Sequence, residues 1–87
     1  MAENEALLQQ IRGYAKASRL SFTRHARERM GQRGVGEQDV RKALVHANRC
    51  QEGNEPNRWK VTGPDVDGDD LDIVVVIDDG LLIITVM

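Results

Sequence analysis

Eighty-seven residues, 40% hydrophobic and 30% charged, with a net charge of −2, describe one globular domain with a small core. No apolar run approaches the roughly 18 residues of a membrane span, and the acidic start MAENEALLQQ lacks the basic and apolar regions of a secretory signal. Cys50 is the only cysteine, which excludes an intrachain disulfide and a cysteine-built zinc site, so a cytoplasmic protein is expected.

The predicted elements begin with a helix over about residues 3 to 17. Leu7, Ile11, Tyr14 and Ser18 recur at helical spacing, with Glu3 and Glu5 near its start and Lys16 and Arg19 near its end, as the helix dipole favours. Leu20-Ser21-Phe22 alternates and predicts a short strand. Thr23 is a suitable N-cap for a helix running to about Arg33, and Gly34 reads as its C-cap. Glu37, Gln38 and Asp39 open a third helix, with Val40, Ala43, Leu44 and Ala47 on one face. Beyond it the pattern turns to β: Arg58 to Gly63 alternates, Leu71 to Ile77 and Leu81 to Val86 are apolar runs, and Asp78-Asp79-Gly80 joins the last two in a tight hairpin. Those two strands are apolar on both faces and are expected at the sheet centre, covered on one side by the helices. Residues 52 to 57 and 64 to 70 read as loops.

Charge is distributed unevenly. Arg12 to Arg49 holds ten Lys/Arg against three acids, +7, whereas Cys50 to Met87 holds only Arg58 and Lys60 against nine acids, −7. Two readings follow: a polyanionic partner for the basic part, or neutralisation of one part by the other through space. The basic part peaks in FTRHARERMGQRG, residues 22 to 34, where Arg24, His25, Arg27, Arg29 and Arg33 face a single acid, Glu28.

His25, Arg29 and Arg33 are spaced i, i+4, i+8 and so share one helix face over about 12 Å, while Ala26 and Met30 form the neighbouring apolar stripe. Cleavage of RNA through its own 2′-hydroxyl needs a base, an acid and cations that hold the phosphate; no metal is required. A histidine that titrates near neutrality and two guanidinium forks supply a minimum for that chemistry. The competing reading packs His25 on the sheet and pairs the arginines with the acidic half. Three further features carry weaker signals. Asp65-Val-Asp-Gly-Asp-Asp resembles the start of a calcium loop but lacks its glycine and its final glutamate, Asp70 and Val76 standing there. Trp59 reads as core rather than a stacking platform, and His46 and Cys50 as a solvent-facing imidazole and a buried thiol rather than a ligand pair.

The run His-Ala-Arg-Glu-Arg-Met-x-x-Arg-Gly-Val at residues 25 to 35, followed by Asp39-Val40-x-x-Ala43-Leu44 and the final VVVIDDGLLIITV, resembles a small bacterial family catalogued as a domain of unknown function with a His-Ala-x-x-Arg-Met-x-x-Arg-Gly motif. That family is similar to the RelE/ParE superfamily and the MqsR toxins. The resemblance covers about residues 20 to 86 of the single domain 1 to 87 and leaves out the N-terminal helix, residues 1 to 19. It implies an α+β fold in two layers, N-terminal helices on one face of a small antiparallel sheet. It also implies a toxin acting as a metal-independent endoribonuclease on mRNA, with an antitoxin from a neighbouring gene as partner and no cofactor. Carried over, the motif makes His25, Arg29 and Arg33 the catalytic candidates. Arg24, Arg27, Arg58 and Lys60 are candidates for RNA binding. The alternative is a non-catalytic module that binds RNA or protein through the same basic face.

Overall fold

The computed structural model describes residues 4 to 53 and 55 to 87. Three helices and five strands follow in the order α1 (Glu5–Lys16), β1 (Leu20–Phe22), α2 (Arg24–Arg33), α3 (Glu37–Val45), β2 (Arg49–Glu52), β3 (Arg58–Pro64), β4 (Asp70–Ile77) and β5 (Leu81–Val86). The class is α+β. The strands form one sheet in the order β1-β5-β4-β3-β2, so β4 is central and β5 lies beside it, as their two-sided apolar runs require. The pairs β2–β3, β3–β4 and β4–β5 are antiparallel. The expected all-antiparallel sheet is corrected at one edge, where β1 joins β5 in parallel and makes the sheet mixed. The cause lies in connectivity: β1 leaves its strand straight into α2 and closes no hairpin with β5.

Strand alternation divides the sheet into two faces. The cross-strand row Cys50–Val61–Ile73–Val86 is buried throughout and meets the helices. The next row, Gln51–Lys60–Val74–Thr85, points the other way, onto a face that no helix covers, and there only Gln51 is fully exposed. Between Val74 and Val75 the β4–β5 register slips at a bulge, which leaves Ile84 as the extra residue beside Thr85. On the covered face α3 packs on β3 and β4, α1 on α3, and α2 on β5.

The helix signals behave as read, with one shift. Val40, Ala43, Leu44 and Ala47 are all buried. Gly34 ends α2 in the left-handed conformation at φ 67°, and its N–H caps the last carbonyls. In α1 the buried stripe is Leu8, Ile11 and Ala15 rather than Leu7, Ile11, Tyr14 and Ser18. Leu7 and Tyr14 flank that stripe half-buried, and Ser18 stands beyond the helix at φ 59°. Both sets share Ile11, and the wide apolar stripe of a globular helix lets either centre satisfy the spacing. Arg12 secures this layer, its Nε and Nη2 donating to the Ala47 carbonyl at 2.9 and 2.6 Å. The sequence predicts no strand at β2, and Glu52 was expected in the loop 52 to 57; RCQE carries no alternating apolar pattern, and it is a strand through its pairing with β3 and the burial of Cys50. The Asp65 carboxylate accepts from the N–H groups of Asp67 and Asp69, both at 2.9 Å, which closes the β3–β4 turn.

Close packing of α3 on β3 depends on Gly63. A Cβ there would collide with the carbonyl oxygen of Ala43 and lie 2.8 Å from its carbonyl carbon. Gly63→Ala must push helix from sheet and is expected to cost about 3 kcal/mol in a urea titration. Gly13→Ala, exposed in α1 with nothing within 4 Å of the added carbon, is expected to stabilise by roughly 0.5–1 kcal/mol through the unfolded chain. At the start of α3 the Asp39 carboxylate accepts from the N–H of Gly36 at 3.0 Å and of Val66 at 3.1 Å. These two bonds, with Lys42 adding to them, hold its carboxyl below the usual range. A depressed carboxyl contributes stability above its unfolded pKa of about 4 and loses it as pH falls through the folded value. Thermal unfolding should therefore show Asp39→Asn destabilised near pH 7, with the gap to the native protein closing below about pH 4.

Candidate nucleic-acid interface

The position of α2 is set by Thr23, which ends β1 and caps the helix. Its backbone N–H donates to the Ile83 carbonyl at 3.0 Å, its hydroxyl donates to the Ile84 carbonyl at 3.0 Å, and the same oxygen accepts from the N–H of Ala26 at 3.0 Å. Ala26 and Met30 are buried one turn apart, so α2 lies along β5 with the residues next to that stripe at the sheet margin. Arg29 is one of these. Half-buried, its guanidinium donates from Nε to the Val86 carbonyl at 3.4 Å and from Nη1 to the Gln32 side-chain oxygen at 3.1 Å. It has no carboxylate partner among the described residues.

Arg29 thereby lines a groove of about 820 Å³ on the uncovered sheet face, together with Gln51, Arg58, Lys60, Val74, Ile84 and Thr85. Glu52 and Glu55 line its end at the β2–β3 connection. The other two cations of the groove have acidic neighbours. Arg58 pairs with Glu55 at 3.1 Å. The Lys60 ammonium is 3.8 Å from Asp72, whose other oxygen accepts from the Thr62 hydroxyl at 2.6 Å. Of the three cations that line the groove, Arg29 alone has no ion-pair partner among the described residues.

Of the sequence-derived candidates, the structure gathers Arg29, Arg58 and Lys60 and leaves the rest on the outer surface of α2. His25 is exposed in the first turn and Arg33 in the last; neither lines the groove nor makes a side-chain hydrogen bond or ion pair among the described residues. Arg24 is 94% exposed and 3.6 Å from Glu28. Arg27 pairs with Glu37 at 2.7 Å and lies 4.8 Å above the Phe22 ring, a contact that serves the fold. A first turn with Arg24, His25 and Arg27 and no acid opposes the helix dipole.

Among the described residues one direct ion pair joins the two chain halves, Arg19 to Asp79 at 2.9 Å. Gln51 and Thr85 were not read as site residues. Finding them needs the β2–β3 register and the bulge, neither of which has a local signature. Trp59 packs half-buried against the core, opposite Val75 on the covered face. His46 is exposed, and Cys50 is buried, which pushes its thiol pKa up. No helix among the described residues is long and apolar enough to cross a membrane.

No curated protein and no solved structure matches this chain. A protein family described as a domain of unknown function, DUF4258, matches residues 22–87, from the end of β1 through β5, with α1 outside it. By that match over most of its length, the chain belongs to the DUF4258 family.

Proposed function

We propose that this protein is a toxin-like endoribonuclease that binds the RNA backbone at the margin between α2 and the uncovered sheet face and cuts it without a metal. The observation that carries the reading is Arg29, a half-buried guanidinium held on a carbonyl and an amide, with no ion pair to a carboxylate among the described residues. A planar fork in that state grips phosphate in two places, and Lys60 across the groove adds a second cation. His25 stands one turn before Arg29 on the same helix and has no competing partner among the described residues. Its role is proton exchange with the 2′-hydroxyl or the leaving oxygen of a backbone lying along α2. Arg33 extends the cationic track at the other end of the helix, and Arg24 and Arg27 border it. A partner antitoxin silences such an enzyme by covering His25, Arg29 and Arg33 with acidic side chains.

A second reading is favoured by one observation: His25 lies outside the groove that holds the cations. On this reading the protein binds RNA and does not cut it. A structured mRNA incubated with the protein in EDTA separates the two. Cleavage that falls at least about 10²-fold in His25→Ala supports the enzyme. Intact RNA, bound with an affinity that falls as salt rises, supports the binding module. Either way, the slope of log affinity against log salt is expected to lose about 0.7 in Arg29→Ala, one phosphate contact on a single strand. Lys16→Ala, at the end of α1, should leave it unchanged. A slope indifferent to Arg29 contradicts both readings.

A further inference from the structure

We infer that the free edge of β1 pairs with the β1 edge of a second copy of this chain, antiparallel and centred on Ser21, joining two sheets into one. The inference is independent of the RNA reading. It starts from the direction of the backbone groups. Thr23 donates its N–H to the Ile83 carbonyl, and the Arg19 carbonyl accepts from the N–H of Leu81. With Leu20 opposite Leu81 and Phe22 opposite Ile83, the N–H and C=O of Ser21 are then the groups of β1 that turn to β5. Those of Leu20 and Phe22 point outward, and β1, last in the sheet order, meets no further strand.

The two edges of the sheet differ. β2 is guarded by the exposed charges of Arg49 and Glu52, and Asn4 donates its side-chain amide to the Cys50 carbonyl at 2.7 Å. β1 holds neither a charge nor a proline, the usual guards of an edge, and only its short length limits what it pairs with. Antiparallel about Ser21, Leu20 of each copy stands opposite Phe22 of the other, and the outward groups of both match, N–H to C=O and C=O to N–H. Centring on Leu20 or Phe22 would instead bring in Ser18, at φ 59°, or Arg24, already in α2. The side chains agree with the Ser21 register. Leu20 and Phe22, half-buried against the core, make apolar cross-strand pairs on the helix side, while exposed Ser21 meets its own copy on the other face.

Charge is complementary as well. On the helix side Glu37 and Arg41 line a cleft with Leu20 and Phe22. Glu37 stands at the Phe22 end, paired with the Arg27 that lies over the Phe22 ring, and Arg41 at the other end, where it donates to the Lys16 carbonyl. A two-fold axis at Ser21 therefore turns Glu37 of each copy toward Arg41 of the other. An interface this short belongs to the weak, transient class, so the dimer forms at high concentration.

Analytical ultracentrifugation of the full chain at concentrations up to about 1 mM reads the association. The expected result is a reversible monomer–dimer equilibrium. Ser21→Lys and Ser21→Glu, exposed substitutions whose folding is checked by thermal unfolding, should each weaken it severalfold by placing like charges opposite one another, and an equimolar mixture of the two should associate more tightly than either alone. Ser21→Cys should cross-link under mild oxidation, since Cα atoms about 4.5 Å apart lie within disulfide reach. Gln9→Cys, exposed on α1, should not, and the native Cys50 is buried. A monomer at every concentration, with Ser21→Cys no faster to cross-link than Gln9→Cys, overturns the inference and leaves the edge to a strand of another protein. A dimer indifferent to charge at Ser21 overturns it too, because the contact then lies on another surface.

Discussion

The Thr23 side chain is the joint on which the arrangement of the site depends. One hydroxyl donates to the Ile84 carbonyl and accepts from the N–H of Ala26 in the first turn of α2, and the adjoining backbone N–H donates to the Ile83 carbonyl. An N-cap of this kind is worth about 1 kcal/mol, modest as stability but decisive as geometry. It fixes where α2 starts relative to β5, and Ala26 and Met30 then fix how the helix is turned. Two constraints, one polar and one apolar, leave Arg29 a single margin to occupy, the one beside Val86.

The same geometry sorts the cations that the sequence concentrates in one half. Arg12 is used on the Ala47 carbonyl and Glu5, Arg19 on Asp79 and the Tyr14 ring, Arg27 on Glu37 and the Phe22 ring. Arg41 reaches the Lys16 carbonyl at the end of α1. These contacts hold helices and edges in place, and exposed pairs of this kind add little to stability. Lys16, Lys42 and Arg49 stand on other elements, and α2 keeps a short track from Arg24 and His25 to Arg33, with Arg29 turned into the groove. A net charge of −2 thus conceals a local surplus that folding does not consume.

Legibility in the sequence follows the range of the interactions. Thr23, Gly34 and the α3 stripe act within a turn or two of their own position, and each stands where the spacing placed it. The hairpin at Asp78-Asp79-Gly80 is equally local, Asp79 taking φ 52° as a tight turn demands. β2 was illegible because four residues with one buried side chain owe their form to β3. The direction of β1 depends on which edge it joins. The stripe of Arg29 was legible; that Arg29 alone of its three members enters the groove depends on the helix end and the sheet margin. Gln51 and Thr85 become neighbours of Lys60 only through the register of three strand pairs, and no pattern along the chain encodes it.

Arg29 faces the groove with no ion-pair partner among the described residues, and Thr23 keeps it there. Nuclear magnetic resonance of the arginine Nε–Hε groups during titration with inorganic phosphate tests it most directly, on the native protein and on Thr23→Val. In the native protein the Arg29 signal should move first and saturate, with Arg12 and Arg19 still, and in Thr23→Val, folded but without its cap, that response should weaken severalfold. A phosphate response centred on Arg24 or Arg33 with Arg29 silent, or one unchanged by loss of the Thr23 hydroxyl, would contradict the account.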